Sequence, residues 1–299
     1  IMFSSLTERG AAATFEALSH GANDYVTKPA KTSGLTESRQ RIRDDLTSRI
    51  RALAGRYLGI VPIATTVQST PSVRPSVEKT PAAPVVVAQP ARVRPVPAGP
   101  RRVDVLAIGI STGGPNALAV MIPNLPELPV PVVVVQHMPP LFTRLLAERL
   151  GVQSKNKIVE AAPGMELSAG CIYIAPGNYH MVVETQGTKF VVGTNQEPPE
   201  NSCRPAADVL FRSVAQVYGQ HAVALVMTGM GQDGLRGVRA IRDAGGRVLV
   251  QDEASSVVWG MPGAIAKEGL ADRVLPLDDI ATEVARICQE TRLERGRAS

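Results

Sequence analysis

The feature that most constrains the fold is a series of uninterrupted apolar runs that alternate with helical patterns from residue 103 onward. The clearest runs are VDVLAIGI, PVVVVQ, AVALVMTG and RVLVQ. Apolar runs without polar alternation indicate strands that are buried on both faces, as in parallel sheets with helices on each side. The sequence therefore predicts an α/β fold with a doubly wound, mostly parallel, Rossmann-like sheet.

A β-rich excursion interrupts this rhythm after the second strand and helix. It contains the segments KIVEA, CIYIAP, HMVVE and KFVVG, with Gly-Asn and Gln-Gly at the turns. We expect it to form a β-hairpin insert in the parallel sheet.

The front of the chain divides into two further regions. Residues 1–58 read as strand, helix and strand, followed by a basic amphipathic helix that we interpret as a domain-end or linker helix rather than a membrane-surface helix. Residues 59–102 are rich in proline and basic residues and predict a disordered linker. We therefore predict three regions, with boundaries at 1–58, 59–102 and 103–299.

Composition excludes several classes of function. The net charge is only +5, and the basic residues concentrate in the helix and the linker, so the sequence does not indicate a general nucleic-acid surface. No apolar segment is long enough to span a membrane, so we expect no membrane insertion. The three cysteines are widely separated and form no metal-ligand pattern, which suggests reduced thiols in a cytoplasmic protein. We expect neither a metal nor a cofactor.

Three reactive side chains follow predicted strands at their carboxyl ends. Ser111 follows VLAIGI, His137 follows PVVVVQ, and Asp233 follows AVALVMTG at the start of a helix. The carboxyl ends of parallel strands share one edge of the sheet, where ligands bind. A hydroxyl, an imidazole and a carboxylate are the set that nucleophilic acyl transfer requires. We predict that they form a catalytic triad.

The glycines around Ser111 allow the sharp strand-to-helix turn that a nucleophilic serine needs. The backbone N–H groups of Thr112 and Gly113, with one from the turn at Met230, are candidates for an oxyanion site. A phosphate-binding turn is the alternative, but the GxGxxG pattern and the Walker lysine are both missing. We predict that Arg204 contacts substrate, with an ordinary surface charge as the alternative.

Other residues compete for these roles. Asp252 also follows a strand and is the second choice for the acid, while Asp233 could simply cap a helix. His180 and His221 begin strands, so the pair Asp208 and His221 is geometrically poor, and His180 is more plausibly structural. Cys203 could serve as a nucleophile, but it has no histidine near it in sequence.

These motifs resemble the CheB family of chemotaxis receptor-glutamate methylesterases. The matching stretches are AIGISTGGP, VVVVQHMP, IYIAPGNYH, RPAADVLFRSVA and MTGMGQDG. The resemblance implies that Ser111 is the nucleophile, His137 the base and Asp233 its partner. It also implies hydrolysis of glutamyl γ-methyl esters on chemoreceptor helices with release of methanol, and deamidation of receptor glutamines. One alternative is a non-enzymatic module that binds receptor or nucleotide. Another is a response regulator that binds nucleic acid through its Arg-rich linker, although the sequence has no recognition motif for it.

The segments IMFSS and DYVTKP resemble the end of a response-regulator receiver domain, with Ser4, Tyr25 and Lys28 at its switch positions. In that family a chemotaxis histidine kinase is the partner of the intact protein. The phospho-accepting aspartate would precede Ile1, so we expect no phosphorylation site in this chain. A remnant without a complete core should pack loosely or be poorly ordered.

Overall fold

The computed structural model describes residues 1–5, 7–28, 35–58 and 102–295. The predicted disordered linker falls almost wholly on residues 59–101, which lie outside the described residues. The three predicted domain boundaries therefore stay a prediction.

The chain begins with a small β-α-β arrangement, here called the N-terminal unit (residues 1–28). Strands β1 (Met2–Ser4) and β2 (Tyr25–Thr27) pair in parallel, and helix α1 (Glu8–Ser19) connects them. Helix α2 (Leu35–Leu58) follows and confirms the helix predicted there.

The second part of the chain is built on a seven-stranded parallel sheet in the spatial order β11-β10-β9-β3-β4-β6-β5. Its strands, in chain order from β3 to β6, are Val105–Ile110, Val132–Gln136, Lys157–Glu160 and Cys171–Ile174. Strands β9, β10 and β11 are Ala222–Val226, Arg247–Gln251 and Arg273–Leu275. Because β3 lies between β4 and β9, the strand order reverses at β3, which is where open sheets form their binding crevice.

Helices cover both faces of this sheet. Helices α3 (Gly114–Met121), α4 (Phe142–Gly151) and α8 (Leu277–Arg295) pack with one set of strand side chains. Helices α5 (Ala207–Tyr218), α6 (Leu235–Asp243) and α7 (Met261–Lys267) pack with the other set. The predicted doubly wound α/β fold is therefore confirmed.

The insert is smaller than the sequence indicated. Only β7 (His180–Gln186) and β8 (Lys189–Asn195) form a separate antiparallel hairpin, which confirms the hairpin insert. Strands β5 and β6 instead join the main sheet, with β6 paired between β4 and β5. Residues 161–170 connect the parallel strands β5 and β6 without a helix. Because a parallel crossover usually contains a helix, the sequence gave no sign that these two strands are parallel.

The N-terminal unit packs closely on residues 102–295, here called the main domain, so the expectation of loose packing is wrong. The rings of Tyr25 and Phe142 stack with centroids 4.9 Å apart, and the ring centroid of Phe15 lies 6.1 Å from that of Phe142 in a tilted arrangement. Phe15 and Tyr25 are buried in the same apolar cluster as the interior of α3 and α4. The large domain supplies the core that the unit lacks.

Replacement of Phe142 should test this shared core. Phe142 is fully buried, whereas Phe190 on the hairpin is about one-third exposed. We expect Phe142→Ala to lower the free energy of unfolding by about 3–5 kcal/mol, because it leaves a cavity beneath the N-terminal unit. The matched variant Phe190→Ala should cost no more than about 1.5 kcal/mol, since it loses chiefly its ring contact with Tyr218. Urea denaturation measures both, and equal losses would contradict the packing described.

Candidate active site

The ends of β3, β4 and β9 meet at one edge of the sheet. Ile110 and Gln136 are paired in register, so Ser111 and His137 are the first residues beyond two neighbouring strands. The N–H of His137 donates to the carbonyl of Ile110 at 3.2 Å, and the N–H of Ser111 donates to the carbonyl of Thr228 at 3.0 Å. These bonds hold the three strand ends together around Ser111.

Two glycines make the turn at Ser111 possible. Gly113 has a φ of 79°, in the left-handed region, and a Cβ there would lie 2.6 Å from Val257 Cβ. A Cβ at Gly229 would lie 2.8 Å from Ser111 Cβ, so any larger residue would push the serine out of place. The turn therefore fits only with glycine at both positions.

Two of the three predicted triad side chains are in direct contact. His137 Nε2 and Asp233 Oδ2 are 2.7 Å apart, and their side chains are only 12% and 2% exposed. Because Asp233 engages Nε2, the nitrogen that remains for proton transfer is Nδ1. The sequence did not indicate which ring nitrogen would face the acid.

The Asp233 carboxylate accepts four hydrogen bonds. Besides His137, its donors are the backbone N–H groups of Ala207 and Asp208, at 2.6 and 3.1 Å, and Nδ2 of Asn201 at 2.8 Å. Asp233 thus caps the beginning of α5 and not the beginning of its own helix, α6. Asp233 is therefore a helix cap, as the competing interpretation held, but it caps α5 and not α6. The same carboxylate also contacts His137.

A reciprocal contact ties the two helices together. Asp208, in the first turn of α5, accepts a hydrogen bond from the N–H of Gly237 in α6 at 2.7 Å. The amide of Asn201 also donates to Asp208 Oδ2 at 2.9 Å, so it bridges the Asp208 and Asp233 carboxylates. A neutral donor between two acids reduces their repulsion.

The environment changes the pKa of each group in this cluster. Burial works to lower the pKa of His137, but hydrogen bonds and charge from Asp233 and Cys203 outweigh it and raise that pKa from 6.5 to about 10. Burial works to raise the pKa of Asp233, but the His137 contact and the α5 N–H groups hold it below the usual value. Burial raises the pKa of Asp208. Asp233 is therefore the ionised partner of the histidine.

The serine hydroxyl itself is uncommitted. Across the described ranges of the chain, no hydrogen bond engages Ser111 Oγ. The structure thus brings Ser111 to the same edge as His137 and Asp233 and pairs only the latter two. Within those ranges, the N–H groups of Thr112, Gly113 and Met230 likewise have no protein acceptor. Such N–H groups are the donors that an oxyanion site requires.

The remaining predicted residues have other partners. The guanidinium of Arg204 donates to Asn178 Oδ1 and to the carbonyls of Gln196 and Glu197, which ties its loop to the insert. Asp252 accepts from Ser255 in a local turn, so it is not the acid that partners His137.

The two other histidines of residues 103–295 have hydrogen-bond partners outside the predicted triad. His221 contacts the carbonyl of Arg102 at the opposite end of the sheet. It is therefore not placed to pair with Asp208, as the sequence predicted. His180 is fully buried and bonds to Ala206 and Pro198, as expected for a structural residue.

Sequence reasoning missed Asn201, and it considered Cys203 as a nucleophile without finding its contact with His137. Cys203 Sγ lies 3.6 Å from His137 Nδ1, although 66 positions separate them in the chain. Asn201 precedes it in a loop where Asn201 and Ser202 both have positive φ, at 52° and 63°. In the sequence these two residues belong to the motif Asn-Ser-Cys-Arg-Pro. The motif does not show which strand end the loop approaches in the fold.

The N-terminal unit reaches the edge that carries Ser111. The hydroxyl of Thr112 donates to Asp24 Oδ2 at 3.1 Å, and Arg49 of α2 forms an ion pair with the same oxygen at 2.6 Å. Asn116 in α3 donates to the carbonyl of Ala22. The turn after β3 is therefore hydrogen-bonded to the N-terminal unit.

Comparison with known proteins identifies the family. The family described as CheB methylesterase matches residues 106–284 of this chain. The chain belongs to the CheB methylesterase family. The resemblance read from the sequence is therefore confirmed, and so is the expected enzyme class, a carboxylic ester hydrolase.

Individual relatives agree with this assignment. A protein-glutamate methylesterase/protein-glutamine glutaminase from Nocardioides sp. is 48% identical over the whole of this CheB-family chain and 76% of its own length. One from Trichodesmium erythraeum is 45% identical over 96% of the chain and 76% of its own length. The crystal structure of the Thermotoga maritima CheB catalytic domain aligns with 62% of the chain and 100% of its own, with a TM-score of 0.61 and 40% identity.

These comparisons favour the CheB hydrolase over the alternative of a non-enzymatic binding module.

Within residues 1–5, 7–28, 35–58 and 102–295, no helix has the length and apolar character that crossing a bilayer requires.

Asn201 should matter to this CheB-family site although it is far from the serine in sequence. We expect Asn201→Ala to lower the rate of ester hydrolysis by about tenfold, because it removes two hydrogen bonds, one to Asp208 and one to Asp233. It should also raise the pKa of Asp233, and a carboxylate that has lost a donor favours the imidazolium of His137 more strongly, which moves the acid limb of the pH–rate profile to higher pH. The matched control is Ser202→Ala in the same loop, which should keep both rate and profile. An unchanged acid limb in Asn201→Ala would contradict the bridging role.

Proposed function

We propose that Ser111, His137 and Asp233 form the catalytic triad of a cytoplasmic enzyme that hydrolyses γ-methyl esters of glutamyl residues on chemoreceptor helices. The observation that carries the proposal is the 2.7 Å contact between His137 Nε2 and Asp233 Oδ2, beside the turn that exposes Ser111. A bound and ionised carboxylate on one ring nitrogen prepares the other for proton transfer.

The first step forms an acyl-enzyme. Ser111 Oγ attacks the ester carbonyl carbon while its proton passes to His137 Nδ1, and the resulting imidazolium is stabilised by Asp233. Collapse of the tetrahedral intermediate transfers that proton to the departing methoxide, which leaves as methanol. Ser111 then carries the glutamyl group as an ester.

Backbone N–H groups stabilise the negative charge that develops on the carbonyl oxygen. Thr112, Gly113 and Met230 are the proposed donors, since their N–H groups bind no acceptor in the described part of the chain. Gly113 is also the residue that precedes α3, whose positive dipole end points to this turn. Each such donor contributes most when the oxyanion forms.

The second step releases the product. His137 Nδ1 takes a proton from water, the hydroxide attacks the acyl carbon, and the serine leaves with the proton returned from the imidazolium. The sum is ester plus water giving a glutamyl carboxylate, methanol and a proton. A glutamine side chain follows the same path and releases ammonia, which accounts for deamidation by the same residues.

Two kinds of partner are proposed. The substrates are the cytoplasmic helices of chemoreceptors, and the second partner, which the family resemblance implies, is a chemotaxis histidine kinase. Arg204 remains a predicted substrate contact, and its hydrogen bonds to Asn178 show how its guanidinium is held at the rim. Neither nucleic-acid binding nor membrane insertion is part of the proposal.

Substitutions of the triad test the assignment. We expect Ser111→Ala and His137→Ala each to lower kcat by about 10⁴-fold or more, since either change removes the covalent path. Asp233→Asn should lower kcat by about 10³- to 10⁴-fold, because the imidazole loses its orientation and charge partner. Release of methanol from methylated receptor gives the rate. A Ser111→Ala variant that keeps its rate, with the loss found instead in Cys203→Ser, would show that the nucleophile is misassigned.

The pH dependence tests the role of His137. Only neutral imidazole accepts the serine proton, so a pKa raised to about 10 predicts that kcat/KM increases with pH through the neutral range toward that value. In Asp233→Asn the rise should occur at lower pH, because the carboxylate that favours imidazolium is gone. Rates of Ser111→Ala at each pH correct for spontaneous hydrolysis. A limb that does not move in Asp233→Asn would contradict the pairing.

A further inference from the structure

The side chain of Cys203 faces the nitrogen that the triad leaves available. Its Sγ is 3.6 Å from His137 Nδ1, and the ligand atoms of His137, Cys203 and Asp233 all lie within 4.8 Å of one another. Ester hydrolysis as described uses no thiol. The position of Cys203 therefore has no explanation in the proposed reaction.

The spacing of the sulfur and the nitrogen suits a shared metal ion. Zinc binds thiolate at about 2.3 Å and imidazole nitrogen at about 2.0–2.1 Å, and a tetrahedral angle between these bonds separates the two ligand atoms by about 3.5–3.6 Å. This is the observed separation of Cys203 Sγ and His137 Nδ1. The two side chains need no large movement to bind one ion.

The opposite side of the imidazole is already arranged as in metal sites. Histidines that bind metal usually donate their other N–H to a carboxylate, which fixes the ring orientation and strengthens the ligand. Asp233 Oδ2 holds that position on Nε2 at 2.7 Å, and its own orientation is fixed by Asn201 and by the N–H groups that begin α5. The ring of His137 therefore presents Nδ1 in one direction.

We propose that Cys203 Sγ and His137 Nδ1 form a binding site for Zn²⁺ or a similar thiophilic divalent cation, and that the bound ion inhibits the enzyme. The thiol proton passes to solvent on binding, as does any proton on Nδ1. Water completes the tetrahedron, since both side chains are only partly buried and the ion reaches them from the rim. The inhibition, though not the binding, rests on the proposed function, because the metal occupies the lone pair that accepts the serine proton.

Cobalt provides the most direct probe of the site. Co²⁺ replaces Zn²⁺ in such sites, and its bond to thiolate gives a charge-transfer absorption in the near ultraviolet that nitrogen and oxygen ligands do not produce. We expect the tag-free full chain to develop this band and to saturate at one equivalent of Co²⁺, and Zn²⁺ should abolish it.

Variants assign the band to these residues. Cys203→Ala and His137→Gln should each lose it, while Cys171→Ala, a change at another cysteine, should retain it. Asp233→Asn should weaken Co²⁺ binding by about tenfold, as expected for a residue that acts through the histidine. Absence of the band in the unmodified chain, or its persistence in Cys203→Ala, would overturn the proposal.

Ser111→Ala separates this proposal from the proposed function. That variant should be inactive and still bind Co²⁺ with the same absorption, because Ser111 is not a ligand. In the unmodified chain, Zn²⁺ should inhibit methanol release, and a chelator should restore the rate. In Cys203→Ala, inhibition should require at least about tenfold more Zn²⁺, since one of the two protein ligands is missing. Equal inhibition of both proteins would overturn the inhibitory role.

Discussion

The arrangement of this site depends on one buried carboxylate. Asp233 is only 2% exposed, and its two oxygens accept hydrogen bonds from the imidazole of His137, from two N–H groups of α5 and from Asn201. An ionised acid in such a place is stable only because every donor offsets its loss of water. The same bonds fix the beginning of α5 to the beginning of α6 and orient the histidine, so the packing of the helices and the chemistry share one group.

Much of this could be predicted from the sequence, because strand ends in a parallel sheet meet at one edge. The apolar runs located β3, β4 and β9, and the polar residues that follow them, Ser111, His137 and Asp233, come to that edge. Contacts between distant loops could not be predicted. Nothing in the motif Asn-Ser-Cys-Arg-Pro shows that Asn201 joins two carboxylates or that Cys203 faces Nδ1, since those contacts depend on where α5 begins. The placement of β6 between β4 and β5 could not be predicted either, because the segment that connects β5 to β6 contains no helix.

The N-terminal unit shows how tertiary context overrides an argument from size. A strand, a helix and a strand cannot bury enough apolar area alone. Here Phe142 of the main domain completes the missing core by stacking on Tyr25, and Thr112, next to Ser111, donates a hydrogen bond to Asp24. The turn that carries the serine is consequently in contact with both domains, and any movement of the N-terminal unit changes the surroundings of Thr112.

The central claim is that Asp233 orients His137 so that Nδ1 activates Ser111. Reaction with a serine-directed phosphonate, followed by mass spectrometry of the labelled peptide, tests it most directly. The account predicts a single adduct on Ser111 that forms at least about 100-fold more slowly in Asp233→Asn, because activation of the hydroxyl requires the oriented base. An adduct on Cys203, or a rate of Ser111 labelling that does not change in Asp233→Asn, would contradict it.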